Sequence, residues 1–232
     1  QYAVMAKSLI DTIKVISGIK LVTRKKGKNS ASVSQTKDFT LDGIKAIGMG
    51  ASLGGPAALE KILSSLPKGF PIPIFIVQHI SSGFTQGLAD WLQKTVPLKI
   101  IIPKFSQVAK PGTIYLAPND LHMTIDKKGQ IHLSQADSKE ICPSINRMLH
   151  SLASSYCKDA LGIILTGMGQ DGAEGLLAMK KKGAFTIVQD PEECVMHSMP
   201  NAARNLGASD QSLRLEEIAT LIQRIKATGD SL

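Results

Sequence analysis

The sequence predicts an α/β fold: a doubly wound, mostly parallel sheet with helices on both faces (three layers, Rossmann-like), plus one small β-hairpin. Two observations predict it. From about Gly43 onward, short apolar runs alternate with segments of helical periodicity, the order that parallel strands joined by crossover helices require. The apolar runs are also continuous rather than alternating, which fits strands covered on both faces.

Taken in order, residues 4–22 space Met5, Leu9, Ile13 and Ile16 at close to a helical period and predict one amphipathic helix. Residues 23–42 are rich in Lys, Ser, Gly and Thr and predict a flexible linker, so the compact domain is 43–232. Expected strands are 44–49, 72–78, 98–102, 113–117, 161–166 and 184–189. Expected helices are 55–65, 84–94, 144–155, 172–182 and 215–226. In the second of these, Phe84, Leu88, Trp91 and Leu92 are assigned to one face; in the last, Leu215, Ile218, Leu221, Ile222 and Ile225 are. Residues 121–125 and 130–133, joined by Asp126-Lys127-Lys128-Gly129, predict the hairpin. There is no internal repeat.

Composition narrows the function classes. Of 232 residues, 43% are hydrophobic and 20% charged, ordinary values for a globular chain. The three cysteines, Cys142, Cys157 and Cys194, form no short-spaced pair, so neither a disulfide framework nor a zinc site is suggested and a reducing cytoplasm fits. No apolar run approaches the ~20 residues that cross a bilayer, so no membrane insertion is expected. The first residue is Gln1 rather than Met, which suggests a piece of something longer. Net charge is +8, but residues 1–42 hold eight basic and three acidic side chains and supply most of it. That asymmetry argues against nucleic acid as a partner, and Arg24-Lys25-Lys26-Gly27-Lys28 reads as a solvated linker segment.

Three motifs fall at the carboxyl ends of expected strands, where ligands collect in such sheets. Gly50-Ala51-Ser52-Leu53-Gly54-Gly55-Pro56 joins a strand to a helix. Small residues around Ser52 permit a sharp turn that exposes the hydroxyl, and the helix N-terminus supplies free N–H groups. A Gly-rich turn with an N-capping serine would look the same. Val77-Gln78-His79-Ile80 ends the next strand. One strand–helix–strand step separates Ser52 from His79 and places both on one sheet edge, and imidazole suits general-base work near neutrality. Leu165-Thr166-Gly167-Met168-Gly169-Gln170-Asp171-Gly172 again joins strand to helix. Asp171 there can orient the imidazole, cap its own helix, or do both.

The third motif has a rival reading. Gly167, Gly169 and Gly172 match a dinucleotide fingerprint, with Asp190 about twenty residues on. Against it, the fingerprint normally opens the first βαβ unit, and Gly48-Met49-Gly50 lacks the third glycine, replaced by Leu53. His197 after Asp171 offers an alternative base in the order Ser–Asp–His. His122 and His132, in the hairpin, and His150, on a helix, read as structural.

Together these stretches resemble the catalytic domain of the chemotaxis protein-glutamate methylesterase family, CheB. The resemblance runs collinearly from about residue 44 to 225. It rests on Ile47–Pro56, Phe75–Ile80, Gly83-Phe84-Thr85, Pro111–Pro118, Pro143-Ser144, Leu165–Gly175 and Met199-Pro200. Residues 4–22 resemble the end of the family's receiver domain, and 23–42 its linker. The resemblance implies a catalytic triad of Ser52, His79 and Asp171, with the backbone N–H groups of Met168 and Leu53 binding the oxyanion. The family usually has Thr where Leu53 stands, and more often an aromatic residue where His197 stands. It implies hydrolysis of methylated glutamates on the cytoplasmic domain of a methyl-accepting chemoreceptor, with glutamine deamidation as a second activity. No cofactor is required, and the implied partners are the chemoreceptor and a receiver domain in the longer parent. A catalytically inactive receptor-docking module would share these motifs.

Overall fold

A computed structural model describes residues 41, 43–137 and 140–226; the expected helix over 4–22 and, Leu41 apart, the expected linker over 23–42 lie outside them. Among the described residues the strands are β1 (Ala46–Ala51), β2 (Ile74–Gln78), β3 (Lys99–Ile101), β4 (Gln107–Val108), β5 (Thr113–Leu116), β6 (Leu121–Ile125), β7 (Gln130–Gln135), β8 (Ala160–Ile164), β9 (Phe185–Gln189) and β10 (Gln211–Leu213). The helices are α1 (Gly55–Leu63), α2 (Thr85–Leu92), α3 (Ile145–Tyr156), α4 (Ala173–Lys181), α5 (Ser198–Asn205) and α6 (Leu215–Gln223).

The main sheet has seven strands in the order β10-β9-β8-β1-β2-β5-β3, and every pair in it is parallel. The antiparallel pairing is confined to a separate sheet, in which β4 joins the expected hairpin as β4-β7-β6. β4 and β10, of two and three residues, were not expected, being too short to show a period.

Side chains of each strand alternate between two cores. Ile47, Met49 and Ala51 face a cluster built with α1, α2 and α6. Phe75, Val77, Ile164 and Val188 face a cluster built with α3, α4 and α5. On that second side β1 presents Gly48 and Gly50. A Cβ at Gly48 would lie 2.5 Å from Leu152 Cδ1, and one at Gly50 2.3 Å from Ile145 Cγ2. Those glycines therefore exist to let α3 seat directly on β1, which accounts for Gly48-Met49-Gly50 without any phosphate. The other flank of α3 meets the small sheet, whose Met123, Ile125 and Ile131 share its core.

The expected face of α2 is narrower than the sequence suggested. Leu88 and Leu92 are buried with Ala89, whereas Phe84 is 64% and Trp91 43% exposed. Phe84 precedes the first helical turn, and Trp91 stands on the flank of the buried stripe. On α6, Leu215, Ile218 and Ile222 are buried as expected. No described helix is long and apolar enough to cross a membrane.

Candidate active site

The chain leaves β1 toward β2 on one side and returns later with β8 on the other, so the carboxyl ends of β1, β2 and β8 adjoin. Such a switch point opens a crevice. Ser52 follows β1, His79 follows β2, and Asp171 lies in the loop after β8.

Sheet register fixes the first two. Ala51 pairs with Gln78, the N–H of His79 donates to Ala51 O at 2.9 Å, and the N–H of Ser52 donates to Thr166 O at 3.0 Å. Gly54 then turns the chain into α1 with φ 81°, a left-handed conformation that glycine adopts without steric cost. Gln78 ties the two residues together. Its Nε2 donates to Ser52 O and to His79 O, both at 2.8 Å, while its buried Oε1 has no hydrogen-bond partner among the described residues. The reverse amide orientation would set an oxygen against two carbonyls, so this one is chemically determined.

Asp171 is held differently. It does not cap its own helix, whose N-cap is Gly172; it caps α3. Its Oδ2 accepts from His79 Nε2 at 3.0 Å and from the N–H of Ile145 at 2.7 Å. Its Oδ1 accepts from the N–H of Asn146 at 3.0 Å and from Ser144 Oγ at 3.1 Å. Burial alone would raise the Asp171 pKa. Donation by His79 and by the N–H groups of Asn146 and Ile145 outweighs burial and holds it below the usual aspartate value. The carboxylate thus stays ionised against the imidazole, in the positive field of a helix N-terminus. Asn146 returns the cap: its Oδ1 accepts from the N–H groups of Gly172 and Gly175 at 3.0 and 2.8 Å. Ala173 N–H is committed to Gln170 O. The Gly172, Ala173 and Gly175 amides, which a dinucleotide pyrophosphate would need at this helix start, are thus taken, which counts against the fingerprint reading.

With His79 Nε2 on Asp171, Nδ1 is the ring nitrogen left for Ser52. The Ser52 hydroxyl makes no hydrogen bond among the described residues, so the structure closes the His–Asp half of the expected line and leaves the Ser–His half open. Such bonds are commonly loose before substrate arrives. A Cβ on Gly167 would lie 2.7 Å from Ser52 Cβ and 2.1 Å from Met199 Sδ, so only glycine lets the 167–168 backbone pass this close to the hydroxyl. The N–H groups of Leu53 and Met168 have no acceptor among the described residues, and both side chains are exposed. His197 caps α5 and pairs through Nδ1 with Asn201 Nδ2 at 3.0 Å; Asp171 has His79, not His197, as its imidazole partner.

Sequence reasoning missed Gln78, Ser144 and Asn146. Signals existed: a glutamine closing an apolar strand, and Ser144 directly before a helical period, an N-cap pattern.

Comparison with known proteins identifies the family. Residues 47–222 match the model of the family described as CheB methylesterase. The chain is 39% identical to a protein-glutamate methylesterase/protein-glutamine glutaminase of Nitrosospira multiformis, covering 96% of this chain and 64% of that protein. It is 35% identical to one of Syntrophus aciditrophicus, covering 97% and 66%. It therefore spans slightly less than two thirds of those relatives. The crystal structure of the Thermotoga maritima CheB methylesterase catalytic domain superposes with a TM-score of 0.74 at 34% identity, over 78% of this chain and 97% of that one. The chain belongs to the CheB methylesterase family.

Proposed function

We propose that this chain hydrolyses glutamate methyl esters on the cytoplasmic domain of a chemoreceptor, with Ser52 as nucleophile, His79 as base and Asp171 as its orienting anion. The observation that carries the reading is the His79 Nε2–Asp171 Oδ2 bond of 3.0 Å, at the strand end paired in register with the strand that delivers Ser52.

The chemistry follows from the free ring nitrogen. His79 Nδ1 takes the proton of Ser52 Oγ as that oxygen attacks the ester carbonyl. The Leu53 and Met168 amides stabilise the oxyanion, at roughly 3 kcal/mol per donor. The imidazolium returns its proton to the departing methoxide, and methanol leaves an acyl-serine. Water, deprotonated by the same nitrogen, attacks the acyl carbon; the C–Oγ bond breaks, Ser52 recovers that proton, and the freed glutamic acid side chain gives its remaining proton to solvent as the carboxylate. Attack on a glutamine side chain by the same route releases ammonia, the second activity named in the relatives. Asp171 is held ionised throughout and steadies the imidazolium.

An open surface rather than a closed pocket supports a protein substrate. Leu53, Phe84, Met168 and Val195, in the loops after β1, β2, β8 and β9, are exposed by 52, 64, 70 and 70%, and bare apolar side chains at these strand ends suit contact with a macromolecule. A groove of about 1130 Å³ continues from Met168 and Asp171 past Arg147, His197 and Asn201. A receiver domain in the parent protein is the second partner that this reading carries. The deciding experiment is methanol release from methylated receptor by wild type, Ser52→Ala and His79→Ala. Loss in both variants with folding intact is the expected result, and equal release by all three ends the assignment.

A further inference from the structure

His122 lies on β6, in the small sheet, and is completely buried. Its Nδ1 accepts the backbone N–H of Ser144 at 3.2 Å. Ser144 is the N-cap of α3, and its Oγ donates to Asp171 Oδ1. Asp171 in turn holds His79. A continuous series of directed bonds therefore runs from the small sheet to the imidazole of the active site. We infer that His122 is a positioning residue for the Asp171–His79 pair, acting through Ser144; this rests on the catalytic reading above.

The residues before α3 form a loop, and a loop N-cap is only as fixed as what holds it. Ser144 N–H is where His122 of the small sheet bonds the cap itself, beside the contact it makes with Glu140 of the same loop. Next, an acceptor at Nδ1 requires a ring unprotonated there, with its proton on Nε2. Burial, and then the Arg147 cation, push the His122 pKa down, against the smaller pull of Glu140 and Asp171. The Glu140 carboxylate stands 3.3 Å from Nε2 but out of line with the N–H, so that nitrogen makes no hydrogen bond among the described residues. Burying an imidazole whose Nε2 has a contact with Glu140 but no well-formed hydrogen bond costs stability, which a purely packing role would not need and an apolar side chain would avoid. Finally, catalysis is sensitive to placement, since a displacement of ~1 Å in a supporting group costs up to about a hundredfold in rate.

Two substitutions separate the acceptor from the volume. His122→Leu fills the space and removes the acceptor; His122→Asn keeps an acceptor close to the position of Nδ1. The measurements are kcat and KM for methanol release from methylated receptor, and the downfield proton resonance of His79 Nε2–H in its bond to Asp171. His122→Leu is expected to lower kcat by roughly ten- to a hundredfold with KM unchanged, and to shift or broaden that resonance. His122→Asn restores both. If His122→Leu does not fold, Ser144→Ala decides alone, because it cuts the Oγ–Asp171 link and must show the same two changes. Wild-type kcat and resonance in His122→Leu, or in Ser144→Ala where that variant decides, would overturn the inference. So would equal losses in the Leu and Asn variants. The resonance is read without turnover, so an inactive wild type would end the catalytic reading and still leave the link itself tested.

Discussion

The two halves of the site are held by different kinds of structure. Ser52 and His79 stand at the ends of adjacent parallel strands, placed by a ladder that continues through the sheet. Asp171 stands in a loop and is placed by the first turn of α3, through two backbone N–H groups and one hydroxyl. Each half also uses one side-chain amide as a clamp, with opposite polarity. Gln78 donates from its nitrogen to two carbonyls. Asn146 accepts at its oxygen from two N–H groups. The sheet half is therefore a matter of register, and the helix half a matter of charge.

That difference predicts how substitutions divide. Ser52→Ala removes the proposed nucleophile from a frame it does not support. Methanol release should fall by about 10⁴-fold or more, while the melting temperature stays at the wild-type value. A large loss of stability would show that the hydroxyl holds the turn.

Asp171→Asn should damage both activity and stability. Without the anion the imidazole loses its orientation and its counter-charge, and kcat should fall by about 10³- to 10⁴-fold. The α3 N-terminus loses its charged cap, at a cost of roughly 1–3 kcal/mol. The pH dependence follows from the lowered pKa. A depressed carboxyl adds stability above its unfolded value, near 3.9 for Asp, and that stability is lost as pH falls through the folded value. The gap between wild type and Asp171→Asn in denaturant unfolding should be widest at neutral pH and close in acid. A gap constant with pH would mean that packing, not charge, holds this loop.

The two clamps make the sharpest contrast, because one chemical change should be costly in one and nearly neutral in the other. In Gln78→Glu a buried carboxylate faces the carbonyls of Ser52 and His79 with no proton to donate; His79 O loses its Gln78 donor while Ser52 O keeps the Gly55 N–H, at a cost of roughly 2–4 kcal/mol. In Asn146→Asp both oxygens accept, and the Gly172 and Gly175 N–H groups keep their partner. Its stability should stay within about 1 kcal/mol of wild type, the helix dipole offsetting repulsion from Asp171. Thermal unfolding of the pair is the check, and equal losses would dissolve the distinction between the halves.

The same difference explains what was legible in the sequence. Ser52 and His79 were readable because continuous apolar runs announce strands, and a strand end announces a position on the sheet edge. Asp171 was readable as a strand-to-helix turn residue, but its partners were not. Ser144, Ile145 and Asn146 come from a helix that reaches Asp171 only because Gly48 and Gly50 let α3 settle onto β1. Nothing local to the 165–172 segment carries that information. His122 reads as structural in the sequence for the same reason: its meaning depends on a contact between the small sheet and the loop before α3. The exposure of Phe84 and Trp91 was missed because periodicity reports spacing and not the width of the buried stripe.

The smallest expected effect concerns Leu53, in the sheet half. Its N–H has no acceptor among the described residues, and its side chain is 52% exposed at the position where the family resemblance leads one to expect threonine. Register fixes the backbone there whatever the side chain, so Leu53→Thr should leave stability within about 0.5 kcal/mol of wild type. A threonine hydroxyl adds one neutral donor near the oxyanion, worth about 1 kcal/mol, so kcat should rise by roughly fivefold with KM little changed. A fall in kcat would contradict this. A rise in KM at constant kcat would instead identify the leucine as apolar surface on which the substrate protein rests, moving Leu53 from the chemistry to the docking face.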